Sequence, residues 1–328
     1  GNDRRSKAMR VGFIGLGNVG GKLAGSLLRN GFELTLRDLD IGVAQPLLSL
    51  GAKWADSPAA VASESDMVIT CLPSPDISAG VMEAGDGVLA GLSAGKIWVE
   101  MSTTDESEVR RLGDKVKALN GASMDCPVSG GCHRAATGNI SIFAGGERET
   151  FERALPILTA MGRQILHTGP LGSASILKVV TNYLASVHLV ALGEAMMTAK
   201  KSGLDLATTY EGIRISSGNS FVHETESQVI LNGSRNINFT MDLVVKDMEL
   251  FQDLADRWAI PLELSPRVLQ LFRQAKSLLG ERAWSPNIVV PLETVCGETL
   301  FAPGFPSEIL DNEHECEGRE VRVVGLDY

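Results

Sequence analysis

Lys178 and Asn182 stand four residues apart in SASILKVVTN, so on a helix both project from one face, about 40° from each other. A helical lysine taken alone reads as a solvated surface charge, but this one is flanked by Ile176, Leu177, Val179 and Val180. A cation in apolar surroundings must find partners or lose its proton. Such an amine can exchange a proton with a substrate hydroxyl or carbonyl oxygen, held in place by the Asn182 amide. The stretch DCPVSGG, residues 125–131, adds a second element. Ser129 offers a hydroxyl and Gly130 and Gly131 offer unobstructed backbone N–H groups, a receptor for a carboxylate. A plain glycine-rich turn fits the same letters. In LVVKDMELF, Lys246 and Asp247 read by spacing alone as a solvated ion pair on an amphipathic helix.

A third stretch says what the lysine would work beside. RVGFIG is an apolar run suited to a buried parallel strand, and GGKLAGSLLRNG carries apolar residues at helical spacing and stops on Gly31. Between them lies Gly15-Leu16-Gly17-Asn18-Val19-Gly20, and the next strand, FELTLRD, ends on Asp38, eighteen residues past Gly20. Strand, glycine turn, helix and a later acid together form a dinucleotide fingerprint, in which the glycines and the helix N-terminus admit a pyrophosphate. Asp38 is placed to accept from both hydroxyls of an adenine ribose, which favours NAD over NADP. An ordinary turn residue is the alternative for Asp38, and Arg37 keeps NADP open because its guanidinium can swing toward a 2′-phosphate.

The elements that must position these groups follow from the pattern of apolar runs. SDMVITCLP, GKIWVEMST, ASMDCP, ISIFAGG and RQILHTG read as further strands with helices between most of them. This α/β alternation predicts a Rossmann-type doubly wound sheet over residues 9–171, with ligands at the carboxyl ends of its strands. That rule places Leu72, Pro73, Thr103 and Ser129 near the cofactor or its partner; strand termination explains the two prolines of CLPSP equally well. One long helix then leads into an all-α domain over 172–280, and the proline-rich, acidic residues 281–328 read as an irregular, partly disordered extension. With 328 residues, 44% of them hydrophobic, two cores are the better expectation than one.

Composition excludes several partners. A formal charge of −10 leaves no basic face for nucleic acid. Five cysteines without CxxC spacing suggest neither a disulfide framework nor a metal site, and so a reducing compartment. GNDRRSKAM has no apolar segment after it, which predicts no signal peptide and a cytoplasmic location. The apolar stretch 179–193 is interrupted by Asn182, Ser186 and His188 and reads as a buried helix too short for a membrane.

Taken together, the motifs resemble the β-hydroxyacid dehydrogenase family over roughly residues 10 to 280. GFIGLGNVG, DCPVSGG with Ala135 and Gly138, GSASILKVVTN and KDMELF match four signatures in order. The resemblance implies Lys178 as the catalytic lysine, Asn182 as its substrate-orienting neighbour, and Ser129, Gly130 and Gly131 as carboxylate binders. It implies Leu72, Pro73, Thr103 and Lys246 as cofactor contacts beside the Gly15 to Gly20 loop, and a homodimer or homotetramer. The sequence departs from the family at Ala174, Cys126 and the tail beyond 280. His133-Arg134 reads either as fitted to a more anionic substrate or as a plain surface pair. The expected activity is hydride transfer between NAD and the alcohol carbon of a small 3-hydroxy acid. An imine reductase and a non-catalytic dinucleotide-binding module are the alternatives; the lysine with its asparagine argues against the first, and retention of the lysine against the second.

Overall fold

The computed structural model describes residues 9–327, and most of the basic N-terminal segment lies outside them. The chain forms two compact units, one running through Lys178 and joined again by the chain from Asp311, the other Val179–Leu310.

In the first unit, β1 (Val11–Ile14) leads through the glycine loop into α1 (Gly20–Arg29), followed by β2 (Leu34–Arg37), α2 (Gln45–Leu48), β3 (Lys53–Trp54), α3 (Pro58–Ser63) and β4 (Met67–Thr70). Then come α4 (Pro75–Glu83), α5 (Val88–Gly91), β5 (Ile97–Glu100), α6 (Glu106–Ala118), β6 (Ala122–Asp125), β7 (Val128–Ser129), α7 (Cys132–Ala136), β8 (Ile140–Gly145), α8 (Arg148–Met161) and β9 (Gly162–Gly169). The strands pair in the order β3-β2-β1-β4-β5-β6, all parallel, which is the doubly wound sheet that the alternation predicts. Beyond β6 the direction reverses: β8 is antiparallel to β6 and to the short β7, and β9 runs parallel to β8.

Buried strands alternate their side chains between two apolar layers. Met67, Ile69, Ile97 and Val99 enter one layer, while Val68 and Trp98 enter the other. Both layers exclude water because helices cover both faces. A single row of the sheet, Arg37, Ile14, Thr70, Glu100 and Asp125, marks the carboxyl ends of five adjacent strands.

The helix α9 (Ser173–Lys201) passes from the first unit into the second. The apolar helix extends on both sides of the expected stretch 179–193. The helix is longer, and by length and composition its 29 residues are long and apolar enough to cross a membrane, with 28% of the apolar window buried. Leu189, Leu192, Met196 and Met197 enter a separate core with α10 (Leu206–Arg214), α11 (Phe221–Asn232), α12 (Met241–Arg257) and α13 (Leu264–Leu279).

Residues 281–328 carry α14 (Val290–Cys296), and Leu300 and Ala302 are buried in the helical core. From Asp311 the chain packs on the first unit and adds β10 (Arg319–Glu320) parallel to β9 at the sheet edge. Arg148 fastens that strand by donating to both oxygens of Glu320, at 2.8 and 2.7 Å.

Candidate active site

The glycine loop is shaped by close approach. Gly15 has φ +97, and a Cβ there would stand 2.1 Å from the Cys71 carbonyl oxygen; a Cβ at Gly20 would stand 2.1 Å from the Gly15 oxygen. Larger residues would push β1, β4 and α1 apart. Leu16 and Val19 pack inward, whereas Gly17 and Asn18 form the exposed tip, with open space where a Gly17 side chain would be. Asp38 accepts from the Leu16 N–H at 2.8 Å through one oxygen and from the Asp40 N–H at 3.1 Å through the other. Asp38 is thus tied to the glycine loop. Arg37 lies over the Trp54 ring, 5.3 Å from its centroid.

Two further loops leave the same edge of the sheet. Glu100, buried at the end of β5, accepts from the Ser102 hydroxyl at 2.6 Å, and that hydroxyl accepts in turn from the Leu72 N–H at 2.7 Å. This chain of bonds ties the half-buried Leu72 and exposed Pro73 to the loop that carries Thr103. Burial pushes the Glu100 carboxyl above its usual range, against the lowering effect of its hydrogen bonds.

Asp125 ends the row. It is fully buried; Oδ1 accepts from the Gly172 N–H at 2.9 Å, and Oδ2 from the Ser175 N–H and hydroxyl at 2.8 and 2.9 Å. A carboxylate at the end of β6 therefore satisfies the orphan donors of the α9 N-terminus and fixes where that helix starts. Lys178 sits on the second turn of the helix and is buried, 8% exposed. Ser129, half-buried at the end of β7, pairs with Ser141 of β8, and half-buried Gly130 and exposed Gly131 lead on into α7. Burial pushes the Cys126 thiol up, and the neighbouring Asp125 charge adds to this, which keeps it protonated.

Asn182 and Lys246 belong to the second unit. There Asn182 donates to Asp247 Oδ2 at 2.7 Å, and Lys246 Nζ stands 3.2 Å from Asp247 Oδ1. The solvated ion pair expected from spacing is therefore wrong: Asp247 is 4% exposed and Lys246 is half-buried, because α12 turns this face into the protein. The structure thus brings the glycine loop, Asp38, Leu72, Pro73, Thr103, Ser129 to Gly131 and Lys178 into one unit and keeps Asn182 and Lys246 in the other. Glu100, Asp125 and Asp247 carry no motif that marks them as positioning groups; an acid closing an otherwise apolar strand is the available signal for the first two.

Comparison with known proteins agrees with this architecture. The NAD binding domain of 6-phosphogluconate dehydrogenase matches residues 10–169, and the NAD-binding domain of NADP-dependent 3-hydroxyisobutyrate dehydrogenase matches 172–290. Rattus norvegicus mitochondrial 3-hydroxyisobutyrate dehydrogenase is 33% identical over 270 residues, covering 80% of this chain and 81% of its own. Eubacterium barkeri 2-(hydroxymethyl)glutarate dehydrogenase is 33% identical over 287 residues, 87% of this chain and 95% of its own. Among solved structures, the 3-hydroxyisobutyrate dehydrogenase of Salmonella typhimurium superposes with a TM-score of 0.77 at 30% identity, covering 86% of this chain and 99% of that one. Fold and site define an NAD(P)-binding oxidoreductase with a Rossmann domain and a helical C-terminal domain. Within that class, the chain belongs to the β-hydroxyacid dehydrogenase family.

Proposed function

We propose that this protein transfers a hydride between NAD and the alcohol carbon of a small 3-hydroxy acid, giving the semialdehyde, with Lys178 as the proton-transfer group. One observation carries the reading: Lys178 is buried on a helix whose start is bonded to the strand-end row from which the glycine loop also leaves. The site fits the cofactor, since the backbone at Gly17 is exposed with no side-chain obstruction and Asp38 retains lone pairs for ribose hydroxyls. Placement of Arg37 over Trp54 supports NAD over NADP. Held by the Gly15 to Gly20 loop and Asp38, NAD would supply a nicotinamide ring able to take up a hydride in oxidation and to donate one in reduction.

The remaining work belongs to side chains of this protein. Ser129 and the backbone N–H groups of Gly130 and Gly131 hold the substrate carboxylate. Lys178 Nζ, as the neutral amine, takes the hydroxyl proton while the carbinol carbon loses its hydride, and gives that proton back in the reverse direction. Asn182, whose amide donates to Asp247, would orient the reacting oxygen, and Leu72, Pro73 and Thr103 would contact the cofactor. We place the enzyme in the cytoplasm, a location supported by its five free cysteines, and in a homodimer or homotetramer, supported by the apolar surface left on α9.

The test combines a substrate panel with a variant. 3-Hydroxyisobutyrate, glycerate, serine, 3-hydroxypropionate and 4-hydroxybutyrate are assayed with both nicotinamide cofactors. Lys178→Ala should lower kcat on the best substrate by about 10²- to 10⁴-fold, the usual worth of a positioned acid-base group, while NAD affinity by calorimetry stays within about two-fold. Undiminished turnover would assign the proton transfer elsewhere.

A further inference from the structure

The tail beyond residue 310 does more than complete the sheet edge. Its first residues meet the three that close the loop after Ser129 to Gly131. Asp311 Oδ2 accepts from the Thr137 hydroxyl and, at 2.7 Å, from Asn139 Nδ2, which also donates to the Glu313 carbonyl at 3.1 Å. Glu315 lies over Gly138, where a Cβ would stand 2.7 Å from its Oε1. Arg29 grips the same carboxylate at 2.9 and 3.1 Å and donates onward to the Ala136 carbonyl at 3.0 Å. From the other side Arg163 donates to Asn139 Oδ1 at 3.3 Å and to the His314 carbonyl at 3.2 Å.

Asn139 is the hub of these contacts. It is 1% exposed, its N–H donates to the Arg134 carbonyl at 2.9 Å to close α7, and it directly precedes β8, whose Ser141 pairs with Ser129. A shift of Asn139 therefore reaches Ser129 through the strand pairing and Gly131 through the short helix. The loop also contains Gly130, Gly131 and Gly138, all at positive φ, so its unfastened ensemble is broad and the entropy of ordering it is large. Anchoring of β10 alone would need only Arg319 and Glu320; the contacts to Thr137, Gly138 and Asn139 come several residues earlier.

We propose that residues 311–316 are a strap that positions the substrate-carboxylate loop, so that the C-terminal tail sets the affinity for the acid end of the substrate. The proposal rests on the reading of Ser129 to Gly131 as the carboxylate site. Asp311 is a positioning residue and takes no part in proton or hydride transfer.

Hydrogen exchange over residues 130–141 and steady-state kinetics are measured on the full chain for wild type, Asp311→Ala and Asp311→Asn. In Asp311→Ala, exchange in the loop should rise about ten-fold and KM for the hydroxy acid about ten-fold, the scale of one or two lost hydrogen bonds. In the same variant kcat and KM for NAD should stay within about two-fold, a split that general destabilisation would not produce. Asp311→Asn keeps an acceptor oxygen toward Asn139 and should recover most of the loss. Unchanged loop exchange in folded Asp311→Ala overturns the strap. Faster exchange with unchanged KM for the acid overturns its link to the substrate. A wild type that turns over no hydroxy acid overturns the functional reading and with it that link, while exchange still decides whether the tail fastens the loop.

Discussion

Asp125 accepts hydrogen bonds from the Gly172 N–H and from both the N–H and the hydroxyl of Ser175, all at 2.8 to 2.9 Å, so the first turn of the helix bearing Lys178 hangs on one carboxylate. Burial pushes the pKa of this group up, and those three bonds oppose the shift. Asp125→Ala leaves buried donors without partners and should cost about 1–3 kcal/mol in urea unfolding, with kcat reduced as Lys178 loses its fixed position. Gly145, opposite Asp125 in the sheet, should show the same dependence from the other side. A Cβ there would stand 2.3 Å from Asp125 Oδ1, so Gly145→Ala should cost about 1–3 kcal/mol by overpacking. The double variant should lose less than the sum of the two, because the clash disappears with the carboxylate. Strict additivity would show that Gly145 does not act through Asp125.

At the level of elements, α4 and α6 are joined by charge. Glu83, at the end of α4, accepts from Arg111 at 2.5 and 2.9 Å and pairs with Lys115, both on α6. Hydrogen bonds from Arg111, then from Lys115, lower the Glu83 pKa from 4.5 to about 2. A depressed folded-state pKa means the pair contributes stability above the unfolded value of 4.5 and loses it as pH falls from there toward 2. Glu83→Gln should therefore flatten the acid limb of a melting-temperature series below pH 4.5 and narrow its gap to wild type as the pH drops. Added salt should shrink the difference, since the pair is exposed to solvent. An unchanged acid limb would remove Glu83 from the account of acid sensitivity.

For the molecule as a whole, the long helix raises the question of what covers it. Only 28% of its apolar window is buried, and Leu184 is 47% exposed, although Asp125 holds the start of the helix and Leu189 to Met197 enter the helical core. An apolar surface of this kind on a protein belonging to an NAD-binding family is best covered by a second copy. Light scattering on purified protein should give two or four times the 35.0 kDa chain mass, and Leu184→Glu should shift the population toward a single chain. A monomer at micromolar concentration in the wild type would refute the assembly. The net charge of −10 also makes association weaker at low ionic strength, where self-repulsion is least screened.

Much of this chain follows from rules that act between neighbouring residues. Gly15, Gly17, Gly20 and the later Asp38 follow from the sterics of a strand turning into a helix near an anion, and the parallel core strands from their short apolar runs. The four-residue step from Lys178 to Asn182 follows from helical period. These signals arise from constraints within a turn or two of chain, so they are legible without coordinates. Which polar residues meet depends instead on how distant parts of the chain fold together. Asp125 finds Gly172 and Ser175 across 47 and 50 residues, Asn182 finds Asp247 across 65, and Asn139 finds Asp311 across 172. An aspartate has the same lone pairs whether it caps a buried helix, fastens a loop or faces water; its role is set by the donors that folding brings to it, and no local pattern encodes their arrival.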